Sequence, residues 1–368
     1  MDASGANPRE DELRLARRAL ASGLIDGPAL SRALLEWSAS GWAPLAPILA
    51  RKGPTPEQLD AIRAGLGPAP APAVDDRPSK EDPRVGQIVQ AVRCDVRVEK
   101  AALWSAYVGR LPRDPEPAGL LLIELEAMRQ GLWMDFLETV RATKDLTSPH
   151  LERVLDVGRD QGCFAVVTRA RPGAVTLRAL VDRVRRLKMS EALRITRELG
   201  QGLVELHAKG LVHRDVRAEN ALLGRDGQAF LRRAGVVFEP EGLGPSTPKG
   251  SVFGAPHSIA PESLRGSTQD PPNDIYGLGV VLYELVTGVR PFEGEGIGDL
   301  RSQVLEQTAL RPDEVLKDVP DGICELLTWM LAKKPKDRPP APKLVNVIQT
   351  LERGITRTGA TTRMQALQ

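Results

Sequence analysis

The chain has 368 residues, with 50 Lys and Arg against 48 Asp and Glu, for a formal charge of +2. That balance gives no basic excess for a polyanion, so neither a nucleic acid nor a membrane surface is expected as a partner. At 42% hydrophobic residues a sizeable core can form, which excludes wholesale disorder, and the length suggests two or three folding units. The first twelve residues lack the basic and apolar regions of a secretory signal. Residues 1–66 then read as short helices. Leu13, Leu15, Ala16, Leu20 and Ala21 recur at roughly helical spacing, with Arg14, Arg17 and Arg18 on the other side. Asp26 caps a helix that has Pro28 just inside it, and Thr55-Pro56-Glu57-Gln58 repeats the signal as a capping box. Leu20, Ala21, Asp26 and Leu30 return as Leu49, Ala50, Thr55 and Leu59 at a constant offset of 29 residues, so this module is an internal repeat. A small bundle of this kind either docks a partner or caps a neighbouring domain, and both readings stay open.

Residues 67–84, GPAPAPAVDDRPSKEDPR, form a polar, Pro-rich, semi-extended linker. From Gln87 the chain carries strand-like apolar stretches, and from Leu177 amphipathic helices. Strands first and helices later predict a bilobal α+β domain over 85–353, with a small lobe at 85–170 and a large lobe at 171–353. Residues 354–368 read as a disordered tail. Cys94, Cys163 and Cys324 lie far apart, which argues against a disulfide framework or zinc site and for a reducing compartment. The longest apolar stretch, Gly277 to Leu282, is far shorter than a membrane span, so a cytoplasmic protein is expected.

One stretch carries the chemistry. Leu211-Val212-His213-Arg214-Asp215, with Asn220 five residues after the Asp, resembles the catalytic loop of protein kinases. Ala260-Pro261-Glu262, Asp274 to Gly279, Gly288 to Phe292 and Asp337-Arg338-Pro339 follow in the order that family uses, and Leu146 to Gly158 resembles its link into the fourth small-lobe strand. The matches span about 85 to 353, and the composition, rich in Ala, Arg, Gly and Pro, fits a bacterial member of the Ser/Thr kinase family. The resemblance implies that Glu262 pairs with Arg338 and that Asp274 holds the backbone around His213 and Arg214. Much more weakly, Leu49 to Gly53 and Thr55 to Leu59 resemble a turn and helix start in N-terminal modules of bacterial secretion and pilus ATPases. The cyclic dinucleotide that some of those modules bind is not carried over.

Phosphoryl transfer needs a Gly loop over the phosphates, a strand Lys, an Asp that holds magnesium and a base for the hydroxyl. Asp215 and Asn220 match the family's catalytic positions. The others fail. Val96, Val98 and Ala101 stand where glycines would let the backbone approach phosphate. The strand-Lys position falls in Leu120 to Leu125, on Glu124, or on Ile123 if the register slips by one, and Leu122 would replace the small residue facing adenine. The helix Glu aligns with Glu138 or Thr139. Arg233 stands at the magnesium Asp, in Arg233-Ala234-Gly235. Unit charges about 4 Å apart interact by roughly 4 kcal/mol at an effective dielectric near 20, so exchanging attraction for repulsion removes ordinary metal binding. Arg217 and Ala255 also depart from the Lys and Thr of active Ser/Thr kinases. If Glu124 and Arg233 have swapped signs, they either pair across a closed cleft or stand as two independently solvated charges.

These readings predict a pseudokinase that acts as a scaffold or regulator and requires no cofactor. Its expected partners are proteins (an active kinase, a substrate or a signalling complex) engaged through the helical module or the large lobe. The alternative is a weakly active Ser/Thr kinase that uses ATP, Mg and Asp215. A third reading is a small-ligand sensor built on residues 1–66.

Overall fold

The computed structural model describes residues 46–51, 82, 84–100, 104–124, 132–160, 162–235, 256–265, 270–294 and 297–358. The chain divides into two units, Met1–Pro70 and Ala71–Gln368. In the first, helix α1 (Ala46–Ala50) buries Leu49. The rest of the repeat, most of the linker, Ala101 and Ala255 lie outside the described residues.

The second unit begins with a small lobe of six antiparallel strands. They are β1 (Ile88–Val89), β2 (Val92–Lys100), β3 (Trp104–Arg110), β4 (Pro117–Glu124), β5 (Val154–Asp160) and β6 (Cys163–Arg169), in the order β1-β2-β3-β4-β6-β5. Helix α2 (Leu132–Ala142) covers one face, where Leu137 and Val140 pack with Ala106, Leu121, Ile123, Phe164 and Val166. The other face buries Cys94, Tyr107, Leu120, Leu122, Cys163 and Val167. Strand β4 is covered on both sides, which is why it reads as an unbroken apolar stretch and not as an alternation. The end of the segment read as linker is docked to the sheet. Asp82 is buried, pairs with Arg97 and accepts the Tyr107 hydroxyl at 3.2 Å. All three cysteines are buried free thiols.

The large lobe opens with a three-stranded sheet, β7 (Val175–Thr176), β8 (Ala221–Leu223) and β9 (Ala229–Leu231). Around it stand α3 (Leu177–Val184), α4 (Met189–Ala208), α5 (Pro261–Leu264), α6 (Pro271–Thr287), α7 (Ile297–Glu306), α8 (Pro312–Val315), α9 (Asp321–Met330) and α10 (Ala341–Thr358). This is the bilobal α+β architecture expected from the sequence. The last helix continues to Thr358, five residues into the segment read as a tail. Its apolar stripe, Leu344, Val347, Ile348 and Leu351, packs on α4, and Arg197 pairs with Glu352 at 2.6 Å. That packing is what extends the helix.

Helix α6 forms the centre of the lobe and has clear sequence boundaries. Asp270 and Asn273 close a capping box, Pro271 and Pro272 open the first turn, and Gly288 ends the helix in the left-handed region at φ 78°. Residues 274–286 are all buried. Gly277 allows the closest approach, since a Cβ there would lie 2.5 Å from the Val216 carbonyl oxygen. The helix can therefore press directly on the loop that carries Asp215. Below it, Arg338 has no exposed side-chain surface and makes a two-pronged pair with Glu262 at 2.5 and 2.7 Å. Arg338 also donates to the Ala332 and Pro272 carbonyls and stacks on Tyr276. Removing one partner of such a pair leaves an uncompensated buried charge, a loss of about 3–5 kcal/mol. Arg338→Met should therefore lower the urea unfolding free energy by about that amount, while Arg311→Met, at an exposed pair, should change it by less than about 1 kcal/mol.

Candidate functional site in the interlobe cleft

The catalytic-loop residues 211–220 are held by one carboxylate. Asp274, buried at the start of α6, accepts the backbone N–H groups of His213 and Arg214, both at 2.8 Å, and contacts His207 Nε2 at 2.8 Å. Arg214 sits in the left-handed region at φ 71°, a backbone state that costs energy and persists because those bonds fix it. His213 is fully enclosed. Its Nδ1 accepts the Asp215 N–H at 3.3 Å, so Nε2 carries the proton and donates to the Arg232 carbonyl at 3.1 Å. Burial pulls its pKa below the usual imidazole value, against the nearby Asp274 and Asp215 charges, so the ring is neutral.

Asp215 is itself buried. Asn220 Nδ2 donates to its Oδ2 at 2.5 Å and to its backbone carbonyl at 3.1 Å, and Arg217 Nε lies 3.1 Å from the carboxylate. Among the described residues Asp215 Oδ1 has no hydrogen-bond partner, and neither does Asn220 Oδ1. From Arg217 an alternating chain of charges runs through Glu219, Arg290, Glu284 and Arg178 to Asp182. It links the loop to α6 and α3.

On the phosphate side two features bear on the alternatives the sequence leaves open. The first is register. Leu121 and Ile123 stand on the face that carries α2, whereas Leu122 packs on the opposite face. Of the two strand positions the sequence leaves open, Ile123 is the one seen on the helix face, with Leu121 beside it. The Glu124 side chain lies outside the described residues. On α2 the inward position is Thr139, whose methyl group crowds Gly235, while Glu138 is exposed.

The second feature is the partner of Arg233, which is Glu99; the Glu124 side chain, on which the expected alternatives rest, lies outside the described residues. Glu99 Oε2 accepts from Arg233 Nη2 at 2.6 Å, and its other oxygen binds Arg232. Arg233 is 8% exposed at its side chain, stacks on Trp104 at 4.2 Å, and donates its backbone N–H to Glu152 at 3.1 Å. Burial pushes the Glu99 carboxyl up, but Arg233 and Arg232 outweigh it and hold its pKa below the usual carboxylate value. Burial and the adjacent Arg232 charge pull Arg233 down, opposed by Glu99.

A β-bulge brings Glu99 into the cleft. Strand β2, which carries Val96 and Val98 where a phosphate loop would be, stays paired with β3 to Lys100, but its register shifts between Arg97 and Glu99. The shift turns Glu99 to the side where Val98 packs. Sequence reasoning missed Glu99, Trp104, Arg232 and Glu152 as cleft residues. The available signals were an acidic residue inside the phosphate-loop stretch and the doublet Arg232-Arg233.

A sequence model of the protein kinase domain matches residues 122–347, well over half of the chain. The match begins inside β4, so Glu99 and Trp104 precede it. The chain is 33% identical over 212 residues to the serine/threonine-protein kinase PknA of Mycobacterium tuberculosis, covering 55% of this chain and 48% of that protein. It is also 33% identical over 251 residues to the serine/threonine-protein kinase PkaB of Streptomyces coelicolor, covering 65% and 58%. The chain spans about half the length of the curated relatives it matches.

Glu284, within the charge chain, makes a measurable contribution to pH dependence. Burial pushes its carboxyl up to about 7, even though Arg178 and Arg290 pull the other way. An unfolded Glu titrates near 4.3, so between about pH 4.5 and 7 the folded chain keeps a proton that the unfolded chain has lost. Stability from this group is full below that window and falls as pH rises through it. Thermal melts at pH 5 to 7.5 should show that decline, and Glu284→Gln, which cannot titrate, should flatten it.

Proposed function

The chain belongs to the protein kinase domain family, and on that premise we propose that it is a pseudokinase, a signalling protein that uses the kinase fold as a scaffold or regulator. The observation that carries this reading is Arg233, a buried cation at the position of the magnesium carboxylate. Magnesium needs oxygen ligands, and a guanidinium has none to offer. Ile123 on β4 and Thr139 on α2 supply no charge for ATP phosphates, and the nearby cations Arg232 and Arg233 are engaged by Glu99. The residues present therefore do not fit Mg–ATP, and we derive no phosphoryl-transfer step.

A cytoplasmic location agrees with the three free thiols, buried and without disulfides. No helix among the described residues is long and apolar enough to cross a membrane. Protein partners are proposed from the family, whose relatives PknA and PkaB are serine/threonine-protein kinases. We assign their docking to the helical module of residues 1–66 or to the large lobe.

The second reading, a weakly active Ser/Thr kinase, draws on Asp215 Oδ1, a buried acceptor that faces Arg217 Nε at 3.1 Å but takes no hydrogen bond among the described residues. A substrate hydroxyl would suit that atom. Thermal-shift measurements on the full chain with ATP, alone and with Mg²⁺ or Mn²⁺, separate the two, alongside a radiolabel autophosphorylation assay. The pseudokinase reading predicts no metal-dependent rise in melting temperature and no label incorporated. A metal-dependent rise, together with labelling abolished by Asp215→Asn, would overturn it.

A further inference from the structure

We propose that Glu99, Arg232 and Arg233 form an interlobe latch that keeps the small lobe closed on the catalytic loop without a bound nucleotide. The inference rests on the cleft assignments above but goes beyond the pseudokinase reading, because it says what ties β2 to the segment after β9, in addition to the backbone bridge between Leu151 and Leu231.

Glu99 belongs to the six-stranded sheet of the small lobe, while Arg232 and Arg233 follow β9 in the large lobe. Each oxygen of the one carboxylate engages a different guanidinium. A charge-assisted bridge of this kind is directional as well as strong, and guanidinium groups suit carboxylate and phosphate alike. The carboxylate thus makes the sort of contact that a phosphate would make with the same arginines. Trp104 of β3 adds a second small-lobe contact on the Arg233 face.

The arginines are not free to follow the small lobe away. Arg232 donates its backbone N–H to the Asn220 carbonyl at 2.9 Å and its Nη2 to the Glu219 carbonyl at 3.1 Å. Its own carbonyl is held by His213, and Gly235 donates to the His213 carbonyl at 3.2 Å. A pull on Glu99 is therefore a pull on the loop containing Asp215. Arg233 at φ 65° occupies backbone space that a non-glycine residue rarely adopts, so this segment is held by its contacts and not by its own preference.

The test uses the full chain with spin labels at Arg141→Cys on α2 and Lys336→Cys in the large lobe, both exposed positions, while the native cysteines are buried. Electron–electron dipolar distances are measured without nucleotide. The parent should give one narrow distribution, and Glu99→Gln should broaden it and shift it to longer distance. Melting-temperature losses for Glu99→Gln and Arg233→Gln should be clearly less than additive in the double variant. A Glu99→Gln distribution that superposes on the parent, or additive losses, would overturn the latch. Should Glu99→Gln fail to fold, as judged by near-ultraviolet circular dichroism, Arg232→Gln is measured with the same two outcomes. The result is separable from the pseudokinase reading: a metal-dependent ATP shift in the parent sinks that reading, whereas the latch stands or falls on distances recorded with no nucleotide present.

Discussion

A guanidinium taken out of water keeps its charge, because arginine cannot lose its proton at any pH a protein survives. Arg233 is in that position, between the two lobes with 8% of its side chain exposed. Left alone it would cost several kcal/mol, so an anion has to be supplied from nearby. On the proposed reading, an ordinary kinase has a metal-binding Asp at this point, and here the charge requirement is reversed. Glu99 arrives by way of a bulge in β2, Trp104 covers the guanidinium face, and Glu152 takes the backbone N–H. Each of these features has a local reason, and all of them answer to one buried positive charge.

The same constraint reaches the catalytic loop through His213. The proton on that ring must be at Nε2, since Nδ1 accepts from Asp215, and so the ring binds the Arg232 carbonyl. Asp274 fixes the loop from the other side, with Gly277 allowing α6 to come close enough for its carboxylate to reach two backbone N–H groups. These groups are buried polar atoms, and an unmet one costs about 1–3 kcal/mol whether or not the protein transfers phosphate. The presence of His213, Arg214 and Asp274 is therefore accounted for by stability. A match to the catalytic-loop pattern is weaker evidence for chemistry than its length suggests.

How far the sequence could be read followed from how each residue is held. Residues whose partners lie at fixed points of a helix-rich lobe stood out in order along the chain: Asp215, Asn220, Glu262, Asp274 and Arg338. Arg233 was legible as a misplaced cation, because its position follows from a short turn and strand after the catalytic loop. Its partner was not. Strand β4, Gly-Leu-Leu-Leu-Ile-Glu, is apolar on both faces, so no alternation marks which residue looks into the cleft, and the sequence leaves Glu124 and Ile123 both open. Glu99 was hidden for a different reason. A bulge places two successive residues, Val98 and Glu99, on one side of the strand, which a period-two reading cannot anticipate. On α2 one position separates the exposed Glu138 from the inward Thr139, less than the usual uncertainty in a helix boundary.

The two halves of the cleft carry opposite chemistry. On the substrate side, Asp215 has Oδ2 held by Asn220 and Arg217, while Oδ1 faces Arg217 Nε at 3.1 Å and takes no hydrogen bond among the described residues. On the phosphate side, Ile123 and Thr139 offer no metal ligand and no strand cation, and the nearby cations Arg232 and Arg233 are already engaged by Glu99. A general base contributes only when an electrophile is held in line with its hydroxyl, and in phosphoryl transfer that holding is nearly all of the catalysis. An intact base cannot compensate for a lost phosphate site, whereas an intact phosphate site would still bind nucleotide without the base. The phosphate half therefore decides the reading, and within that half the deciding residue is Arg233.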